Sequence, residues 1–300
     1  MPPYHPASQL KSMSRYFVDR ASKYVVFVCA FASIVILGAI AVFIFKEGLP
    51  AFRQVGIIDF LFGTEWRPGQ DQYGILPMII GSIAVTAGAM LLSIPLGVGC
   101  AILLAEVAPF KVRQFLRPAV ELLVGIPSVV YGLIGMLLVV PAIRHIGGTG
   151  FSIAAASIVL TAMVLPTVIS ITEDSIRAVP RGYKEGSLAM GATQWQTIWH
   201  VLLPAARSGI IAAVILGMGR AIGETMAMIM VIGNSIQIPN SPLDSARTLT
   251  GNIAVEINYA TGVHESALFA TGVVLFFLII ILNSVALLVL KRGGRLRAAG

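Results

Sequence analysis

Six stretches of this chain run for twenty or more residues with almost no charge, and that pattern leaves few folds open to it. A helix rises about 1.5 Å per residue, so about 20 apolar residues cross a hydrocarbon layer about 30 Å thick. The stretches fall at 24–45, 74–105, 122–143, 146–172, 209–233 and 266–290. Only the fifth holds charges, Arg220 and Glu224. With 57% hydrophobic and 12% charged residues and a mean hydropathy of +0.88, the chain has too few charges to coat a water-soluble domain. The expected fold class is therefore an all-α polytopic membrane protein with six transmembrane helices, each in contact with membrane lipid. The first apolar block is longer than a signal-peptide core and lacks a small-x-small cleavage pattern, so it reads as a retained anchor.

The formal net charge is +7, and its distribution decides what it means. With six spans, the segments 1–23, 106–117, 173–208 and 291–300 share one side. They carry fifteen basic residues: Lys11, Arg15, Arg20, Lys23, Lys111, Arg113, Arg117, Arg177, Arg181, Lys184, Arg207, Lys291, Arg292, Arg295 and Arg297. The other side carries five: Lys46, Arg53, Arg67, Arg144 and Arg247. The positive-inside rule then places both termini in the cytoplasm. The basic excess is topological, and no nucleic-acid partner is expected.

Cys29 and Cys100 fall inside spans without metal or redox spacing and read as small buried side chains. His145, His200 and His264 lack a second ligand at metal spacing, so no metal and no cofactor is expected. Glu106 and Glu121 are expected to pair with Lys111, Arg113 or Arg117, and Glu173 and Asp174 to be solvated. Two outer segments, 46–73 and 235–265, are long enough for short helices, the second with turn chemistry at Pro239-Asn240-Ser241-Pro242.

The cytoplasmic segment 173–207 is too apolar for a solvated linker. It holds Leu188, Met190, Trp195, Ile198, Trp199, Val201, Leu202 and Leu203. Gly182 and Gly191 are expected to divide it into short helices, and Pro204 suits the first turn of a new one. Such helices need a cover, either the chain's own spans or a groove on another protein. Physical chemistry alone leaves both open.

The spacing within that segment adds a resemblance. Glu185-Gly186-Ser187, three residues, Gly191, nine residues, then Val201-Leu202-Leu203-Pro204 resembles the EAA loop of ABC-importer permeases. The departures are Gly186 and Ser187 in place of two alanines and Val201 in place of isoleucine. The resemblance implies a type I ABC-importer permease fold. It also implies that Glu185, Gly186, Ser187, Gly191, Leu203 and Pro204 couple the chain to a separate ATP-binding subunit dimer. No G-x-x-x-x-G-K-[ST] phosphate loop occurs in the chain itself. Gly125-Ile126-Pro127-Ser128-Val129-Val130-Tyr131-Gly132 and Gly219-Arg220-Ala221-Ile222-Gly223-Glu224-Thr225 are similar to the C-type permeases of bacterial phosphate importers. That likeness implies inorganic phosphate as solute, a second homologous permease subunit and a periplasmic phosphate-binding protein. The spans divide the chain into an N-terminal segment 1–23, a first span with its outer loop 24–73, a permease core 74–290 that includes the coupling loop 173–207, and a tail 291–300.

Arg220 lies eleven residues into its span, near mid-membrane, where an arginine costs about 2.5–3.5 kcal/mol and must face protein or water. Glu224, four residues on, is expected on the same helical face within reach of the guanidinium. The two either neutralise each other to fix packing, helped by small Gly219 and Gly223, or serve the solute. A guanidinium fork matches a tetrahedral oxyanion, and a neighbouring carboxylate would accept a phosphate hydroxyl. Pro127 either kinks the third span against a cavity or shapes its packing. Ser82, Thr86, Ser128 and Asn283 are further polar candidates for the pathway, each also explicable as an interhelical hydrogen bond. The rival readings are a permease for another solute such as sulfate, a gradient-driven carrier using Arg220 and Glu224 as a proton relay, and a membrane interaction subunit that transports nothing.

Overall fold

The computed structural model describes the backbone of residues 7–295 and the side chains of Arg20 and residues 22–288. Lys11, Arg15, Lys291, Arg292, Arg295 and Arg297, used in the charge count, lie outside the described side chains. Among the described residues four helices are long and apolar enough to cross a membrane: Ser22–Val55, Leu76–Val107, Ile153–Arg177 and Val263–Leu288. Two bent pairs bring the number to six. Phe110–Val124 meets Ser128–Arg144 at 99°, and Gln194–Ala205 meets Arg207–Gly223 at 69°.

The second and fourth spans pack along their lengths and the fifth closes on both. Small residues allow the approach: a Cβ on Gly97 would sit 2.7 Å from Val168 Cγ1. Two hydroxyls stitch the same seam, Ser157 Oγ donating to Val85 O at 3.3 Å and Thr161 Oγ1 to Ala89 O at 3.3 Å. Val85, Ala89, Met163, Val164, Val168, Val214 and Met218 fill the core between them. The first span packs chiefly on the last, with Phe43 edge-on to Phe269 at 5.6 Å and Phe45 edge-on to Phe277 at 5.8 Å. Its remaining surface is Val, Ile and Phe exposed to the membrane.

A second core lies at the start of the second span, at the end of the bundle opposite the segment 181–205. Trp66–Arg67 pairs antiparallel with Gln72–Tyr73, a two-residue ladder in an otherwise helical chain. Trp66, Tyr73, Phe60, Ile75, Leu249 and Leu268 are buried together there. Burial, helped by the Asp71 carboxylate, pushes the Tyr73 hydroxyl above its usual range, so it stays neutral in this setting. Glu256 organises the polar side of this core. It accepts from Trp66 Nε1 at 2.8 Å and from Arg247 Nη1 at 2.6 Å, and His264 Nε2 lies 2.9 Å away. Arg247 also donates to Asn252 Oδ1 at 3.0 Å and to the Asn234 carbonyl at 3.1 Å. Removing one partner of a buried ion pair strands the other charge and costs about 3–5 kcal/mol. Glu256→Ala is therefore expected to lower the thermal midpoint of the purified protein sharply, while Glu265→Ala, at an exposed position, leaves it near wild type.

Several expectations are corrected here. The third span does not begin at 122: residues up to Val124 belong to the preceding helix, and Gly125-Ile126-Pro127 ends it outright. Pro127 lacks an N–H and disfavours a helical Ile126, so the chain turns rather than kinks. Residues 146–152 are a turn, with Gly148 and Gly150 at φ +73° and +87°, and the fourth span starts at Ile153 under a Ser152 cap. The fifth stretch is divided too, because its helix stops at Gly223 and a short one, Met226–Val231, follows. Cys29 and Cys100 are exposed on the surface of the subunit rather than buried in its core. Gly182 lies inside the helix Arg181–Ala189 and breaks nothing. Gly219 and Gly223 have nothing of this chain within 4 Å of a built Cβ, so the close helix contact expected there is not made within the subunit.

Candidate functional site

The two groups of predicted site residues lie in different regions of the chain. Arg220 is half-buried near the end of Arg207–Gly223, and its Nη1 donates to Thr167 Oγ1 of the fourth span at 3.3 Å. Tyr131 of the third span is within electrostatic range of it. Glu224 is not on the same helical face. The helix ends one residue earlier, and Glu224 is extended at φ −71°, ψ 130°. Its Oε1 accepts from the Ala227 N–H at 3.1 Å and its carbonyl from Thr250 Oγ1 at 3.0 Å. The expected pair is thus replaced by two separate duties: Arg220 is held by a neutral hydroxyl, and Glu224 caps the helix beyond the break. Ending a helix inside the membrane frees carbonyls that only protein or water can satisfy.

The other pathway candidates divide. Ser82 is buried and its Oγ accepts from the Leu249 N–H at 2.9 Å, so it is committed to fastening the helix Leu249–Glu256. Thr86 is buried one turn further along the second span. Ser128 is half-buried at the first turn of Ser128–Arg144, and Tyr131 OH spans the break before it to reach Leu123 O at 2.9 Å. Asn283 presents a buried Oδ1 with no hydrogen-bond partner. Among the described residues no hydrogen bond or ion pair joins Thr86, Ser128 or Asn283 to Arg220 or Glu224.

The segment 181–205 has a definite architecture. Arg181–Ala189 is followed by Met190 and by Gly191 at φ +87°, a left-handed position that suits glycine. Thr193 and Gln196 form a capping box that starts the next turn, Gln194–Thr197. A π-helical turn, Ile198–Leu202, and a last short turn, Leu203–Ala205, carry the chain to the fifth span. Ser187 Oγ and Thr197 Oγ1 are 2.9 Å apart and close the hairpin.

The chain's own spans cover one face of this segment and leave another bare. Ile198, Leu202 and Ala206 are buried against Ile102 and Ile176 of the chain's own spans. Tyr183, Leu188, Met190, Trp195 and Trp199 are bare, Met190 at 88% exposure and the two tryptophans at 59% and 57%. Glu185, Gly186 and Pro204 are also exposed, and Leu203 is half-buried.

Sequence reasoning missed the charges that hold this end together. Glu173 is buried rather than solvated and pairs with Arg177 at 2.5 Å and with Arg117 at 3.8 Å. Arg117 also reaches Glu121 at 3.1 Å, as expected, and Asp174 at 3.3 Å. Glu106 pairs not with its neighbours in sequence but with Lys184. Thr167 and Thr250, the partners of Arg220 and of Glu224, carried no signal, because each lies far along the chain from the residue it serves.

Residues 93–293 match the protein family described as "Binding-protein-dependent transport system inner membrane component". The chain belongs to this family. The permease is 44% identical over 280 residues to the "Probable ABC transporter permease protein YqgH" of Bacillus subtilis (strain 168), covering 90% of this chain and 91% of that one. It is 38% identical over 259 residues to the "Phosphate transport system permease protein PstC" of Xylella fastidiosa (strain 9a5c), covering 79% and 80%. In fold it is similar to a chain of the solved bacterial alginate ABC transporter, with a TM-score of 0.64 at 15% identity over 91% of this permease and 96% of that chain. It is a multi-pass membrane protein of the type I importer permease class.

Proposed function

We propose that this permease forms half of the pathway of an ATP-driven importer of inorganic phosphate. In this reading a second homologous permease completes the pathway, an ATP-binding subunit dimer supplies the energy and a periplasmic phosphate-binding protein delivers the solute. The bare apolar face of 181–199 carries the proposal, because a cluster of Tyr, Met and Trp in the aqueous phase needs a partner groove. Glu185, Gly186, Ser187, Gly191, Leu203 and Pro204 are assigned to that contact by their place on or beside it. Both termini and this segment then lie in the cytoplasm, and Ile57–Phe62, the Trp66–Tyr73 hairpin and Leu249–Glu256 lie outside.

The phosphate assignment rests on the relatives named for phosphate transport, and Arg220 fits it chemically. A guanidinium offers a planar fork to a tetrahedral oxyanion and stays charged at any working pH. Its bond to Thr167 is long and neutral, so an arriving anion displaces little. Such a site is weak, as conduction requires. Glu224 acts in this account by ordering the break at 224–225 rather than by screening phosphate protons. The separation of Arg220 from Glu224 also argues against a proton relay between them.

The solute is tested by uptake in cells whose other phosphate importers are deleted. Phosphate uptake dependent on this permease should be competed by arsenate, a tetrahedral mimic, and untouched by sulfate. Competition by sulfate alone would reassign the solute.

A further inference from the structure

The helix Arg181–Ala189 is jointed at both ends. Before it, Ala178–Pro180 breaks the fourth span's continuation, and after it Gly191 takes a left-handed conformation. Across the sequence, however, the segment is fastened to the inner end of the second span. That span ends in a π-helical turn, Leu103–Val107, which leaves carbonyls free of their usual partners. Gln194 Nε2 donates to Glu106 O at 3.0 Å, and Arg177 Nη2 donates to Leu104 O at 3.2 Å. Lys184, on the jointed helix itself, meets the nearly buried Glu106 carboxylate at 2.5 Å. Beneath these links Ile102 packs with Ile176, Ile198 and Leu202.

The outer end of the same span is fastened as well. Ser82 Oγ holds the Leu249 N–H, and Gly81 lies so close to Arg247 that an added Cβ would come within 2.5 Å of its carbonyl oxygen. Arg247 in turn holds Glu256 and the outer core. The second span is thus a rod gripped at one end by the segment that faces the ATP-binding partner and at the other by the outer surface.

We propose that Glu106 and Lys184 are a positioning pair that delivers movement of the helix Arg181–Ala189 to the second span, and through it to the outer core. The proposal rests on the assignment of 181–205 as the docking segment. Lys184 is partly exposed but Glu106 is nearly buried, so each single charge reversal also leaves unmatched charge at the contact, and the charge-swapped double variant separates transmission from folding.

In the complete reconstituted importer, Glu106→Lys and Lys184→Glu should each lower solute moved per ATP hydrolysed, about two- to thirtyfold for a coupling link of this kind. Combining the two substitutions should restore the ratio. A second readout needs no solute. With Cys29 and Cys100 replaced by serine, spin labels at Gly182→Cys and Leu91→Cys report the distance between the jointed helix and the second span. ATP binding should leave that distance unchanged in the otherwise native chain, shift or broaden it in Glu106→Lys, and leave it unchanged again in the charge-swapped double variant. A wild-type complex that moves no phosphate would strike the solute assignment, and the label distances would still decide the pair. Wild-type ratios and distances in both single variants would overturn the proposal. Loss of assembly that the double variant does not repair would overturn it equally.

Discussion

Replacing Arg220 with glutamine is expected to reduce phosphate uptake by about ten- to hundredfold, the equivalent of losing one charge-assisted contact of about 1.5–3 kcal/mol. The protein should insert and assemble normally. Glutamine removes a charge that costs about 2.5–3.5 kcal/mol at mid-membrane, so insertion becomes easier. Its amide can still donate to Thr167, the hydroxyl that Arg220 now uses. A drop in uptake with unchanged amounts of the assembled complex would mark Arg220 as part of the pathway. Arg220→Lys should fall between the two, because it keeps the charge and loses the fork. Uptake near wild type in Arg220→Gln would remove this residue from the mechanism.

The second large effect is expected at the bare cytoplasmic face. Met190 is almost fully exposed and Trp199 more than half so, and neither belongs to a buried core cluster, so changing both to aspartate should leave the permease folded. Large apolar anchors at protein interfaces are worth about 2 kcal/mol or more each. Losing two, and placing carboxylates in an apolar groove, should weaken capture of the ATP-binding subunits by about a thousandfold. The measurement is co-purification of those subunits with the permease, alongside thermal unfolding of the permease alone. Retained folding with lost capture is the expected pair of results. Retained capture would mean that the exposed Met and Trp serve something else.

The outline of the fold was legible because hydrophobic length is a strong signal. The stretches 24–45 and 266–290 lie within long helices, and 74–105 is matched, two residues short at its start, by the helix Leu76–Ile102 and the π-helical turn Leu103–Val107. Where the reading failed, it failed at breaks. A run of apolar residues does not reveal that Pro127 ends a helix instead of bending it, or that Gly223 ends one before Glu224. Both depend on which neighbours can satisfy the freed backbone groups. The i, i+4 rule that placed Glu224 beside Arg220 holds only while the helix continues, and it stops one residue short. The division of the segment 181–205 into short helices was legible at Gly191, which takes the left-handed position between Arg181–Ala189 and Gln194–Thr197. The segment's fastening was not: Lys184 and Glu106 are 78 positions apart, and nothing local in either sequence context names the other. The burial of Glu173 was hidden for the same reason, because its two arginine partners include Arg117 from a helix that folds back through 99°.

The most direct test of the account is photo-cross-linking in intact membranes from a reactive group placed at Ala189 or Met190. Both positions are exposed, and both lie on the face assigned to the partner. Capture of an ATP-hydrolysing subunit from both positions, and not from Leu91 on the membrane face of the second span, is the predicted result. If neither position ever captures such a subunit, the proposed attachment of this permease to a separate ATP-driven motor is wrong.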